Sequence, residues 1–110
     1  MPLILRTAAV AALFMVASPG WAGGDAAAGQ QKSQTCAACH GPDGNSPNPA
    51  YPRIAGQYES YLVKALHDYK SGARQNPIMA GLAAPLKDQD IADLAAYFSQ
   101  QNGDLYQVAD

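Results

Sequence analysis

The stretch TCAACHG, residues 35–41, holds both cysteines of this 110-residue chain and one of its two histidines. On a helix, positions i, i+3 and i+4 share a face, so Cys36, Cys39 and His40 stand together. Two thiols separated by two residues match the vinyl groups on adjacent pyrroles of a haem. The next residue, His40, then lies where its imidazole reaches the iron. CxxCH is the attachment signature of c-type haem.

Three other readings use the same residues. A thioredoxin-like CxxC expects a βαβ setting, and no segment of this chain alternates with period two. A zinc site needs four ligands, and Cys36, Cys39, His40 and His67 make up the number without a paired spacing in the second half. A Cys36–Cys39 disulfide would close a tiny loop that stabilises little, and it leaves His40 without a role. The haem reading accounts for all three side chains.

Outward from this run, the chain has room for one domain. Residues 1–22 read as a cleavable signal peptide. Arg6 is its positive start, AAVAALFMVA (8–17) its apolar stretch, and Gly20 and Ala22 the small residues a signal peptidase reads. A membrane anchor is the less favoured alternative, because a span needs about 20 apolar residues. Cleavage would leave Gly23–Asp110 as the mature domain and place it in the periplasm. Met1, Met15 and Trp21 leave with the signal, so Met79 remains as the single methionine. The whole chain carries a net charge of −2, and losing Arg6 makes it one unit more negative. A weakly acidic chain without a basic cluster argues against nucleic acid as a partner.

Residues 25–39 have few breakers and read as a helix begun by Asp25. Residues 41–56 carry four prolines and three glycines, an irregular loop of the length that tends to be functional. Residues 57–72 repeat apolar side chains at Tyr58, Tyr61, Leu62, Ala65, Leu66 and Tyr69, an amphipathic helix stopped by Gly72. Residues 73–86 read as a second irregular stretch, with a short helix after Met79. The last helix starts with Asp88 as N-cap, buries Ile91, Leu94, Ala95 and Phe98, and stops at Gly103. The fold class is all-α, with three main helices and long loops. Such a small domain is marginal on its apolar core alone, and a covalent haem is the staple around which the loops can pack.

Haem iron held by His40 needs a sixth ligand or an open site. Candidates are His67, Met79 and the lysines. His67 lies on the helix face opposite the tyrosine and leucine stripe, as a solvated side chain would. Met79 sits in an apolar turn pinned by Pro77. A thioether opposite histidine stabilises Fe(II) and raises the potential. Met79 is preferred.

These segments together resemble class I cytochromes c of the small bacterial monohaem kind, and especially one half of the diheme cytochromes of the c4 type. The resemblance runs from Gly24 to about Gln101. It is carried by GDAAAG, CAACHGPDGNS, YPRIAGQYESYLVKAL, KSGARQNPIMAGLAAPL and DQDIADLAAYF. It implies thioethers at Cys36 and Cys39, His40 as proximal ligand and Met79 as distal ligand. It further implies that the Pro52 carbonyl accepts from the proximal imidazole, that Ile54 packs on the haem, and that Gly29 meets Tyr97 and Phe98 where the terminal helices cross. The chain departs from the family at Lys32 and Ser33, where an apolar or aromatic side chain is usual, which implies a looser terminal-helix contact. It also lacks the tryptophan that touches a propionate in many relatives, leaving Arg53 and Arg74 as candidates for that pairing.

The function expected is a periplasmic one-electron carrier with one haem c, not an enzyme and without a small-molecule substrate. Its donor and acceptor would be redox proteins, and the acidic balance favours partners with a positive docking patch. Two other functions use the same haem. One is an electron-transfer subunit of a dehydrogenase or oxidase, marked by a broad exposed apolar patch. The other is a haem enzyme or ligand sensor with a labile Met79, which lacks a distal histidine and arginine pair.

Overall fold

The computed structural model describes residues 2–4, 7–12 and 23–105. Arg6, Gly20 and Ala22, on which the signal-peptide reading rests, lie outside the described residues. Among those described, no helix is long and apolar enough to cross a membrane.

Five helices and no strand occur among the described residues: α1 (Ala26–Lys32), α2 (Gln34–His40), α3 (Glu59–Ser71), α4 (Pro77–Ala83) and α5 (Asp88–Ser99). The all-α class expected from the sequence holds; the three main helices and the short one expected near Met79 appear as five because the first divides in two. The segment 25–39 starts as expected, with the Asp25 carboxylate capping the N–H groups of Ala27 and Ala28. It divides at Ser33. There the hydroxyl and the N–H both donate to the Gln30 carbonyl, at 2.7 and 3.3 Å. This tighter i−3 bonding ends α1, and α2 begins at the next residue, Gln34.

Helix α3 ends at Gly72, whose φ of 85° is a left-handed cap that costs other residues a Cβ clash. Helix α5 is capped one residue earlier than the sequence implied. The Lys87 N–H donates to the Asp90 carboxylate at 2.9 Å, which makes Lys87 the N-cap and Asp88 the first helical residue. It also ends at Ser99, four residues short of Gly103.

α1 and α5 cross and make the most extensive packing in the molecule, with α3 against α5 and α4 against α3. The crossing depends on Gly29. A Cβ there would lie 2.0 Å from the Asp93 carbonyl and 2.8 Å from the Tyr97 Cβ. α5 is buried almost all round, including Ile91, Leu94, Ala95, Ala96, Tyr97 and Phe98. Tyr97 and Phe98 stack tilted with centroids 5.0 Å apart, and the Tyr97 hydroxyl donates to the Pro42 carbonyl at 2.6 Å. The core is thin, however. Its largest fully buried apolar side chains are Ile91 and Leu94, and Cys36, Ile54 and Leu66 are only partly buried against it.

Candidate haem site

That thin core borders a cavity of about 340 Å³, at the lower end of the roughly 300–1,000 Å³ typical of cofactor sites. α2 brings Cys36, Cys39 and His40 to its wall, the proline-rich loop brings Pro52, Arg53 and Ile54, and α4 brings Ile78, Met79 and Leu82. α3 contributes Tyr61, Leu62, Ala65, Leu66 and Tyr69, and α5 contributes Leu94, Ala95 and Phe98. All six residues singled out as haem contacts from the sequence therefore face one space, although they are spread over 44 positions from Cys36 to Met79.

Cys36 and Cys39 are half-buried free thiols, with no bridge between them. Burial pushes the Cys36 thiol up, partly offset by its hydrogen bond with Thr35. His40 is buried at 8 % exposure, and its Nδ1 lies 2.8 Å from the Pro52 carbonyl. A carbonyl oxygen only accepts, so Nδ1 carries the proton and Nε2 keeps a lone pair. That is the tautomer a metal ligand requires.

Met79 lies within a helix rather than in a loop. The Asn76 side chain accepts from the N–H groups of Ile78 and Met79, each at 3.1 Å. Pro77 occupies the first helical position, where its missing N–H costs nothing and its fixed φ favours the turn. Pro77 thus starts a helix that the sequence reading began only after Met79. The Asn-Pro pair is an N-cap followed by a first-turn proline, a start signal legible in the sequence.

His67 is half-buried on α3 and does not line the cavity. Among the described residues no three His, Cys, Asp or Glu side chains group as a metal site. The four-ligand zinc arrangement is therefore not assembled.

The charges at the cavity fit a particular guest. Among the described residues, Arg53 and Arg74 are the charged ones that line it, and no carboxylate does. The Arg53 Nε donates to the Ser46 carbonyl at 3.2 Å, and its guanidinium pairs with Asp104. The Arg74 guanidinium lies 4.8 Å above the Tyr69 ring and 3.4 Å from the Tyr61 hydroxyl. An apolar slot with two thiols, one metal-ready imidazole, one thioether and two guanidinium groups suits a flat apolar ring bearing two carboxylates. The residues present fit haem c.

The expected loosening at Lys32 and Ser33 is offset by a polar contact. Lys32 pairs with Asp90 at 2.8 Å and Asp93 at 2.6 Å, tying α1 to α5. Ser33 is buried with its hydroxyl satisfied.

Comparison with known proteins agrees with this geometry. The cytochrome c family model matches residues 26–102. The chain belongs to the cytochrome c family. It is 59 % identical to cytochrome c4 of Pseudomonas aeruginosa over 80 residues, covering 73 % of this chain and 40 % of that protein. It is 47 % identical to cytochrome c-554(548) of Halomonas halodenitrificans over 81 residues, covering 71 % of this chain and 98 % of that one. The crystal structure of reduced recombinant cytochrome c4 from Pseudomonas stutzeri superposes with a TM-score of 0.70 at 50 % identity, over 74 % of this chain and 48 % of that one. The chain thus spans about half or less of the cytochrome c4 relatives that it matches, and resembles one half of such a protein. Membership of that family accords with the haem c that the residues lining the cavity fit.

Proposed function

We propose that this cytochrome c domain is a periplasmic one-electron carrier holding a single haem c. Cys36 and Cys39 would form its two thioethers, and His40 and Met79 would hold its iron. The observation that carries this reading is the bond from His40 Nδ1 to Pro52, which presents Nε2 of a buried imidazole in the same cavity as both thiols and Met79. Bound there, the haem supplies a one-electron couple between Fe(II) and Fe(III). The chain's own part is to fix both axial side chains, exclude water with Leu62, Leu94 and Phe98, and offer Arg53 and Arg74 to the ring's carboxylates. Were His40 and Met79 both to hold the iron, the domain would act as a carrier rather than an enzyme. The leader-like segment 1–22 supports export by a cleaved signal, and the acidic balance supports partners with a positive patch.

A second reading, a subunit held by a dehydrogenase or oxidase, draws on two exposed apolar side chains at the cavity, Ile78 and Tyr61, which are 64 % and 48 % exposed.

The optical spectrum of the purified protein, oxidised and reduced, tests the main reading. It should show thioether-linked haem with six-coordinate iron in both states, and cysteine alkylation of the holoprotein should label neither Cys36 nor Cys39. His40→Ala should abolish stable haem incorporation, while His67→Ala should leave the spectrum unchanged. Labelled thiols in haem-loaded protein, or a Soret band moved by His67→Ala, would reject the ligand set.

A further inference from the structure

The carbonyl that accepts from His40 Nδ1 belongs to the peptide plane joining Pro52 to Arg53. Whatever fixes Arg53 therefore fixes the tilt of that plane. Arg53 is held at both ends of its guanidinium, by the Ser46 carbonyl through Nε and by the exposed carboxylate of Asp104. Just beyond it, the N–H groups of Ile54 and Ala55 both donate to the Gly44 carbonyl, at 2.9 and 3.2 Å.

Asp104 lies in the chain beyond α5, which folds back over this loop. The Asn45 Nδ2 donates to the Asn102 carbonyl at 2.7 Å. At Gly103 a Cβ would lie 2.9 Å from the Ala55 Cβ, and at Gly56 one would lie 2.5 Å from the Leu105 carbonyl. Gly103, expected from the sequence to stop α5, instead lets the segment 102–105 lie flat against residues 45–56. The segment is a strap across the loop that carries Pro52.

We propose that Asp104 and Asn45 are positioning residues, which hold the Pro52 carbonyl against His40 Nδ1 by clamping Arg53 and the strap. The inference rests on the proposed ligation by His40 and deepens it. A firmly held acceptor draws the Nδ1 proton, raises the basicity of Nε2 and favours Fe(III) over Fe(II). The Asp104–Arg53 pair is open to solvent, its side chains 76 % and 49 % exposed, so it adds little to global stability. Its effect is local, on one acceptor and one ring.

The test uses the haem-loaded protein and two readouts, the solvent exchange rate of the His40 Nδ1–H by NMR in the reduced state and the reduction potential. Asp104→Asn removes the clamp with its charge, and Asn45→Ala releases the strap without changing charge. Both should speed the exchange by about tenfold, which corresponds to a hydrogen bond weakened by about 1.4 kcal/mol, and both should raise the potential. Asp104→Glu should restore the wild-type values, and Lys64→Ala, which breaks a remote ion pair with Asp68, should change neither. Unchanged exchange in both variants would overturn the proposal. So would a potential that moves only in Asp104→Asn, since that is the signature of a lost charge alone. Wild-type protein without c-type haem bands would overturn the functional reading itself, so the two failures look different.

Discussion

The Lys32 ammonium lies 2.6 Å from the Asp93 carboxylate, which is 2 % exposed beneath the crossing of α1 and α5. The other Asp93 oxygen accepts the Asp25 N–H at 2.8 Å and the Gln89 side-chain amide at 2.7 Å. One buried carboxylate thus holds the start of α1, the end of α1 and a turn of its own helix. Such a group is costly unless fully paired, and here it is.

The Lys32 hydrogen bond, ahead of the Asp25 N–H and Gln89, holds the Asp93 carboxyl below its ordinary range against the opposing cost of burial. A depressed carboxyl stabilises the fold above its unfolded pKa of about 3.9, and that contribution disappears as pH falls through the lower folded value. Lys32, raised mainly by Asp90 and Asp93, keeps its share until pH climbs past the ordinary lysine value. Melting of the holoprotein should accordingly lose stability below about pH 4. Asp93→Asn should cost about 1.5–3 kcal/mol at neutral pH and flatten that acid limb. An equal Tm and an unchanged limb would mean that the glycine contacts alone hold α1.

Those glycine contacts make their own prediction. Gly29→Ala puts a methyl group 2.0 Å from a backbone carbonyl, so α1 must move away from α5. Overpacking of this kind costs about 1–3 kcal/mol or more, despite the better helix propensity of alanine. Urea titration of the holoprotein would read the loss as a lower midpoint at similar slope. A midpoint at or above that of wild type would show that the crossing is slack.

Pro52 works through its backbone, so Pro52→Ala keeps the acceptor for His40 while freeing the unfolded loop. The expected cost is about 0.4–1 kcal/mol, with covalent haem retained and the potential moved modestly. If neither Tm nor potential moves, the ring rigidity at residue 52 has no part in holding the histidine.

The sequence was most legible where one local rule acted alone. The 3.6-residue stripes fixed α3 and the buried face of α5, and CxxCH with its neighbours placed the wall of the cavity. Errors arose where two neighbouring signals competed. Ser33 and Asp88 are both residue types that cap helices, and bonds between residues three positions apart set the boundaries, with Ser33 folding back onto Gln30 and Asp90 reaching back to Lys87. Gly103 carries a helix-stop residue type for a different purpose, close approach to Ala55. The strap was illegible because Asn45–Asn102 and Arg53–Asp104 join residues more than fifty positions apart, and no periodicity records such pairs.

Met79 decides between a carrier and an open-site haem protein. Its backbone is fixed in the first turn of α4 by Asn76 and Pro77, and its side chain is half-buried against the cavity that holds His40. If its sulfur holds the iron as proposed, an exogenous ligand must first displace it. Reduced wild-type protein should then bind carbon monoxide poorly near neutral pH, and the oxidised form should show a weak charge-transfer band toward the red. Met79→Ala should lose the band, admit carbon monoxide and lower the potential, because Fe(II) loses its soft ligand. Met79→His should remain six-coordinate with a potential that also falls. Asn76→Ala offers a gentler version: loss of the N-cap, worth about 0.5–2 kcal/mol, frays the turn and should raise carbon monoxide binding without abolishing the band. Ready carbon monoxide binding by wild type, unchanged in Met79→Ala, would place the sulfur off the iron and put a ligand-binding haem protein ahead of a carrier.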